Sequence, residues 1–129
     1  MRTGLLSCLL LSLCLSGHAA ADLFLVTASE GPGFATPEEA VEVLEKGILP
    51  TFDMLMELKA NKKIVAGGLP VGSRKFYLIF EAGSHDEIDR MLRNIPAWGV
   101  FSWKVTPLQS LEGRAEMERQ ILKSLKSKN

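Results

Sequence analysis

The chain has 129 residues, and its 15 basic and 15 acidic side chains give a formal net charge of zero. This balance excludes the strongly basic surface with which proteins bind nucleic acid or an anionic membrane. Both cysteines, Cys8 and Cys14, lie in the first 21 residues. The rest of the chain is therefore predicted to have no disulfide and no thiolate metal ligand.

The N-terminal segment predicts export. Arg2 precedes a short apolar run over residues 5–15, and the small residues 19–21 follow. A basic start, a short apolar stretch and an Ala-x-Ala end are the parts of a secretory signal peptide. The apolar run is shorter than the roughly 20 residues of a membrane-spanning helix, so a retained membrane anchor is the less favoured alternative. We expect residues 1–21 to be a signal peptide, cleaved near Ala21, and the protein to be secreted or periplasmic.

Removing residues 1–21 takes Arg2 away and leaves 108 residues with 14 basic and 15 acidic side chains. This length fits one domain, which we place at residues 22–129. Its net charge of −1 predicts no binding to nucleic acid, and none to a membrane after signal cleavage. A domain of this size buries a modest core, which dimerisation would enlarge.

The first half of this domain predicts a strand, a helical region and a second strand. Residues 22–27 hold a continuous apolar run, as in a strand covered on both faces. Residues 36–39 combine a capping threonine, a proline at the first helical position and the glutamate of a capping box. A glycine at 47 and a proline at 50 predict a kinked helix, or two helices in series with the second over 51–60. The second strand begins at Ile64.

The second half predicts two strands and two helices. Residues 74–82 alternate, with Phe76, Leu78 and Phe80 on one face and the residues between them on the other. Ser84 begins a capping box with Glu87. The predicted elements are a turn over 67–73, a strand over 74–82, a helix from 84 to a proline stop at 96, a strand from 100 to 105 and a helix over 111–126.

The order β-α-β-β-α-β with an additional C-terminal helix is that of an α+β ferredoxin-like fold. Its helices cover one face of a four-stranded sheet. The other face would expose either Tyr77 and Ile79 or the set that contains Phe76. Because an exposed apolar face of this kind marks an interface, we predict a homodimer that forms through the sheet face.

Five segments of the chain resemble the muconolactone isomerase family of the dimeric α/β-barrel group. They are the strand 76–81, the helix start 84–88, the pair 91–92, the stop at 95–96 and the closing run 103–108. The resemblance covers about residues 74–108, and these features recur in other dimeric-barrel families. It implies a homodimer with a pocket between sheet and helices. In the catabolic isomerase the reaction is proton transfer on a small lactone carboxylate, which requires a base and a cation.

The chain departs from that family at positions that carry the family's polar residues. Leu25 stands where the catabolic enzymes have a histidine in the first strand, and Ile64 and Val65 stand where they have Trp-Arg. We therefore expect a dimeric module that binds a small apolar or carboxylate ligand. The alternative is an isomerase that catalyses proton transfer on a small lactone or carboxylate.

Glu81, Tyr77 and Lys104 are the candidate catalytic residues, since a base, a hydroxyl and a cation on one cavity could act on an enol or a carboxylate. In the alternative interpretation, Glu81 and Lys104 reach solvent and Tyr77 packs at the dimer interface. Arg74, which could hold a carboxylate in a bidentate pair, and Trp98 and Trp103, which could form pocket walls, are candidate ligand-binding residues. The commoner roles of these residue types are an exposed arginine at a strand end and tryptophans in the core or at an interface.

Other polar features of the chain predict neither a metal nor a cofactor. His85 is the one histidine after the signal peptide, and it is either a proton carrier or a surface residue at a helix start. One histidine without cysteine lacks the spacing of a metal site. The glycines of residues 67–72 lack the Gly-Lys-Ser/Thr of a phosphate loop and predict a hairpin turn. The charged run 112–128 predicts a solvated helix face.

Overall fold

The computed structural model describes residues 21–29 and 33–128. The predicted signal peptide lies outside these residues, except for Ala21. The elements of the described part are β1 (Asp22–Ser29), α1 (Pro37–Val43), a π-helical turn (Leu44–Ile48), α2 (Leu49–Ala60), β2 (Ile64–Gly68), β3 (Phe76–Ala82), α3 (His85–Arg93), a 3₁₀ turn (Trp98–Val100), β4 (Ser102–Leu108) and α4 (Leu111–Lys126).

The four strands form one antiparallel sheet in the order β2-β3-β1-β4. Its two central strands, β1 and β3, are separated in sequence by the helical region and β2, which is the split arrangement of a ferredoxin-like domain. The predicted α+β fold class and the predicted order of elements are confirmed.

One face of the sheet carries the hydrophobic core. Phe24 and Val26 of β1 and Phe76, Leu78 and Phe80 of β3 are buried on this face. They pack against apolar residues of α2, α3 and the segment after α3, namely Leu55, Ile88, Leu92 and Ile95. The predicted alternation in β3 is confirmed, and the set that contains Phe76 is the one that faces the helices.

The other face of the sheet has no helix over it among the described residues, and we call it the open face. The strand register places its residues in three rows across β3, β1 and β4. These rows are Tyr77–Thr27–Lys104, Ile79–Leu25–Thr106 and Glu81–Leu23–Leu108. The middle of the open face is thus apolar, and its charged side chains lie toward the two ends.

Serine and threonine caps begin the helices where the sequence predicts them. The Thr36 hydroxyl accepts a hydrogen bond from the Glu39 N–H at 3.2 Å, and the Ser84 hydroxyl accepts one from the Glu87 N–H at 3.1 Å. The two glutamate carboxylates accept from the N–H of the residue before each cap, at 2.8 and 2.7 Å. Each hydroxyl satisfies an N–H that the first helical turn leaves unpaired, and each carboxylate ties the residue before the cap to the helix.

Glu87 also joins α3 to the end of α2. Its carboxylate lies 2.7 Å from the Lys63 ammonium. The hydrogen bond from Lys63, and after it the one from the Gly83 N–H, lowers the pKa of Glu87 below its usual value. This pair fixes the start of α3 beside the sheet end at Ala82.

The helical region differs in detail from the expectation. It is a series of segments, as predicted, but a π-helical turn lies between α1 and α2, and α2 begins at Leu49 and not at 51. The wider π turn carries Gly47 and precedes Pro50, which lacks a backbone N–H to donate. Every residue of α1 and of the π turn remains at least partly exposed.

The bounds of two strands differ from the expectation, and one glycine is required by a close approach of two strands. β3 begins at Phe76 and not at 74, and β4 runs over 102–108 and not 100–105, because the 3₁₀ turn takes the residues before it. Gly67 has a φ of 110° beside β3, where a Cβ would overlap the Tyr77 carbonyl oxygen. Only glycine fits this position.

The helix α4 begins and ends where the sequence predicts. Its Ser110 cap accepts from the Gly113 N–H at 3.0 Å, and nearly all its residues are exposed. None of the helices in residues 21–29 and 33–128 has both the length and the apolarity needed to cross a membrane.

A buried threonine provides a test of how α2 is held to the core. The Thr51 hydroxyl accepts from the buried Ala97 N–H at 3.1 Å. Thr51→Val leaves that N–H without a partner, so we expect the free energy of unfolding, measured in urea, to fall by about 1–3 kcal/mol. Thr51→Ser retains the acceptor and should cost about 1 kcal/mol or less. Equal losses in the two variants would contradict this assignment.

Candidate ligand-binding site

A cavity of about 400 Å³ lies between the first helical region and the start of β3. Its volume is within the range of pockets that hold small organic molecules. Residues from six parts of the chain line it: Gly33 and Phe34; Val43, Leu44 and Ile48; Phe52; Leu69, Ser73 and Arg74; Phe76; and Val100 and Phe101.

The helical roof of the cavity is poorly buried. Val43 is 39% exposed and Leu44 is 41% exposed, although both line the space above the sheet. The packed contacts with the sheet come instead from α2, through β2, and from α3, through β3. The cavity therefore arises because α1 and the π turn stand away from the sheet and leave apolar side chains partly uncovered.

Aromatic rings form the floor of the cavity. Phe76 contacts Phe52 and Phe101, with ring centres 5.9 and 5.5 Å apart. Behind Phe76, the Trp103 ring is nearly parallel to it, at an angle of 14° and a distance of 6.4 Å. Such interlocked rings give a rigid apolar surface.

The two polar residues of the cavity wall, Ser73 and Arg74, are neighbours in the turn before β3. Gly72, with a φ of 74°, precedes Ser73, whose N–H donates to the Pro70 carbonyl at 3.3 Å. The Ser73 hydroxyl oxygen is buried, and it has no hydrogen-bond partner within the described part of the chain. Arg74 follows it in the wall.

Of the residues proposed to bind a ligand, Arg74 lines this cavity and the two tryptophans lie outside its lining. The Trp103 indole N–H donates to the Trp98 carbonyl at 2.9 Å, and the Arg93 guanidinium lies 4.8 Å from the Trp98 ring centre. The two tryptophans thus pack near the cavity and do not form part of its lining.

The residues proposed as catalytic all lie on the open face, on the opposite side of the sheet. From strand spacings, the Cα atoms of Tyr77 and Lys104 are about 10 Å apart, and those of Tyr77 and Glu81 are about 13 Å apart. Tyr77 and Lys104 line one shallow depression together with Lys75, and Glu81 lies at the other end of the face. One subunit therefore does not place the three groups around one enclosed cavity.

His85 lies away from both places. It is exposed and lies near Val105 and Pro107. Its ring centre is 5.6 Å from that of Phe24, and the two rings are nearly perpendicular. Within residues 21–29 and 33–128, no group of three histidine, cysteine, aspartate or glutamate side chains could hold a metal ion.

Sequence reasoning missed most of the cavity. Ser73 lies in the predicted turn over 67–73, and Val43, Leu44 and Ile48 lie in the predicted helical region, where nothing marks them as cavity residues. A usable signal was present, because residues 41–49 carry apolar side chains on more sides of the helix than a single sheet face covers.

Comparison with known proteins supports the fold. No family model matches the chain, and no curated protein matches it. Among solved structures, a crystal structure of muconolactone isomerase is similar, with a TM-score of 0.56 and 17% sequence identity over 68% of this chain and 88% of that chain. At this identity the likeness shows a related fold, which agrees with the fold implied by the sequence resemblance.

The buried hydroxyl of Ser73 predicts an unusual effect on stability. Ser73→Ala removes an unpaired buried polar group, so the free energy of unfolding of the ligand-free protein should rise by about 1 kcal/mol in urea denaturation. The control Ser84→Ala removes a helix cap and should lower it by about 1 kcal/mol. A loss of stability in Ser73→Ala would show that the hydroxyl is already satisfied within the fold.

Proposed function

We propose that this protein is an exported small-molecule-binding module that acts as a homodimer, and that each subunit holds its ligand in the cavity between the helical region and the sheet. The observation that carries the proposal is the cavity itself, with its aromatic floor and incompletely buried roof. An apolar ligand there would cover surface that one chain leaves in contact with water.

Burial of this apolar surface by a ligand would favour binding. Removing apolar surface from water contributes roughly 25 cal/mol per Å². Val43, Leu44 and Phe34 are each about two-fifths exposed at the cavity. A ligand that contacts these residues and the rings of Phe52 and Phe76 would therefore bury apolar surface on two sides, at the roof and at the floor of the cavity.

The open face supports the dimer. Leu25 and Ile79 stand in its middle row, and Leu23, Tyr77 and Leu108 are between 38% and 46% exposed around them. A contiguous apolar face of this size marks a protein interface. Covering it with a second copy would give each subunit the second packed layer that its helices do not provide.

The charges at the two ends of the open face favour a second copy of the same chain. Lys75 continues the line of β3 at one end, and Glu81 lies on β3 at the other. A two-fold axis that lies in the face and crosses the strands at the row Leu78–Val26–Val105 exchanges these ends. It brings each Lys75 opposite the partner's Glu81, so the face is complementary to itself.

Export is proposed from the N-terminal signal and agrees with where the fold begins. The first strand starts at Asp22, directly after the expected cleavage site at Ala21. Cleavage there removes both cysteines and takes nothing from the sheet. The remaining chain needs no particular redox state to fold.

An isomerase is the second candidate, and the arrangement of polar side chains on the open face favours it. Tyr77 and Lys104 share a depression at one end of the open face. The same two-fold axis brings the partner's Glu81 to that end. A base from one copy would then stand near a hydroxyl and a cation from the other, which is the set that proton transfer beside a carboxylate requires.

Ligand binding is tested by thermal unfolding with a neutral apolar probe. Decanol should raise the melting temperature, because any compound that binds only the folded state stabilises it by mass action, by about 2.7 kcal/mol at 100 times its Kd. Leu44→Trp fills the cavity and should abolish the shift. Leu122→Trp, on the exposed helix α4, is the matched control and should retain it. An equal shift in both variants, or none in the parent, would contradict the proposal.

The dimer is tested by exchanging charges on the open face. Lys75→Glu and Glu81→Lys should each raise the dimer Kd about tenfold in sedimentation velocity, because each sets like charges against one another twice per dimer. The double variant restores opposite charges and should recover the parent Kd within about threefold. Lys123→Glu on α4 should change nothing.

A second variant separates the existence of the dimer from its register. Leu25→Asp, in the middle row, should give a monomer, because it would bury an unpaired carboxylate in the interface. Leu25→Asp could dissociate the dimer while the double charge variant fails to recover the parent Kd. The dimer would then form through the open face, but with a two-fold axis other than the one proposed. A parent chain that is monomeric at high concentration would refute the dimer.

A further inference from the structure

We infer that the ligand of the cavity is an elongated apolar molecule whose chain continues out of the cavity into a second apolar space, a groove between α2 and β2. A polar group of this molecule lies at the far end of the groove. This inference rests on the proposed function, and it adds the shape class of the ligand and its placement.

The groove has a volume of about 320 Å³ and lies between one face of α2 and the edge strand β2. The helix residues that line it recur at helical spacing and are Phe52, Leu55, Met56 and Lys59. Phe52 and Lys59 are seven residues apart, so the groove extends about 10 Å along the helix at a rise of 1.5 Å per residue.

A glycine of β2 leaves the groove unfilled. Gly67 pairs with Leu78, which is buried on the helix-covered face of the sheet. Only glycine fits at this position, because a Cβ would overlap the Tyr77 carbonyl oxygen. The strand therefore provides no side chain here to fill the space beside α2. Leu55 and Leu78 form the buried base of the groove instead.

The groove and the cavity adjoin at two side chains. Phe52 and Leu69 line both spaces. Phe52 is partly buried and Leu69 is 43% exposed, so the junction lies near the surface and outside the fully buried core. One chain can therefore cross from the cavity to the groove without displacing a buried residue, and it would contact both side chains on the way.

The lining of the groove sets the position of a polar group. Apart from Lys59, every residue that lines it is apolar or glycine. A polar group in the middle of the bound chain would lose its contact with water without gaining a hydrogen-bond partner from these side chains, which is costly. Lys59 is exposed and lies at the end away from the cavity. A polar group there remains in water.

The test compares two neutral probes that differ only in chain length, decanol and tetradecanol. It uses protein recovered from a host that expresses residues 1–129, and equilibrium dialysis with radiolabelled probe at free concentrations below the solubility of each. A fully buried methylene group strengthens binding roughly fourfold. Because the groove is open on one side, we expect the four additional methylene groups to strengthen binding at least tenfold in total.

Met56→Trp tests whether the groove is the source of this gain. Met56 is 60% exposed at the groove, so a larger side chain is compatible with the fold and fills the groove. The gain should fall to threefold or less, and decanol should bind as before. Met56→Ala leaves the groove open and should keep the gain. Met117→Trp, on α4 and outside the lining of both spaces, is the matched control and should also keep it.

Leu44→Trp tests whether one molecule spans both spaces. It fills the cavity and should weaken tetradecanol at least tenfold, because the chain that enters the groove begins in the cavity. Melting curves of each ligand-free variant show that it is folded before binding is compared.

The outcomes separate this inference from the proposed function. If neither probe binds the parent, the cavity does not hold a ligand and both fail. If decanol binds and tetradecanol binds less than tenfold more tightly, or if Met56→Trp and Met117→Trp keep the same gain, the cavity function stands and the groove assignment is overturned. Unchanged binding of tetradecanol to Leu44→Trp would show that the groove holds it alone, which would overturn the continuous path.

Discussion

The structure depends on a mismatch between one sheet and the helices available to cover it. Both faces of the sheet are apolar in their middle, through Phe24 and Phe80 on one side and Leu25 and Ile79 on the other. The packed helices α2 and α3 lie on one side only. Burial of apolar surface is the main favourable term in folding. Covering the exposed apolar side chains with a partner or a ligand would therefore be favourable.

The same mismatch recurs within the covered side. α2 and α3 pack closely, but α1 and the π turn stand away from the sheet and leave the cavity beneath them. The floor is formed by aromatic rings packed around Phe76, and the roof is a partly exposed helical segment.

The fold followed closely from local patterns. Alternation in residues 76–80 and the caps at Thr36 and Ser84 specify their elements through neighbours in sequence, and the structure contains them. The π turn and the start of β4 did not follow, because each depends on how distant segments pack. The 3₁₀ turn before β4 is held by the Trp98 carbonyl, which accepts from Trp103.

The site was less predictable than the fold for a related reason. Arg74 was identified from its chemistry alone, and it lines the cavity. Ser73 became visible only from its burial, which no sequence pattern reports. Glu81, Tyr77 and Lys104 were correctly placed on one face, but their separation along and across the strands depends on the register of three strands. Residues that share a face of one strand or helix can be predicted from periodicity. Residues of different strands can be placed relative to one another only from the structure.

A crystal structure of the protein grown with decanol is the most direct test. It should show electron density for the alkyl chain along Phe52, Phe76 and Phe101, and a second copy of the chain on the open face. A cavity closed by the protein's own side chains, with decanol bound elsewhere or absent, would contradict the proposed site.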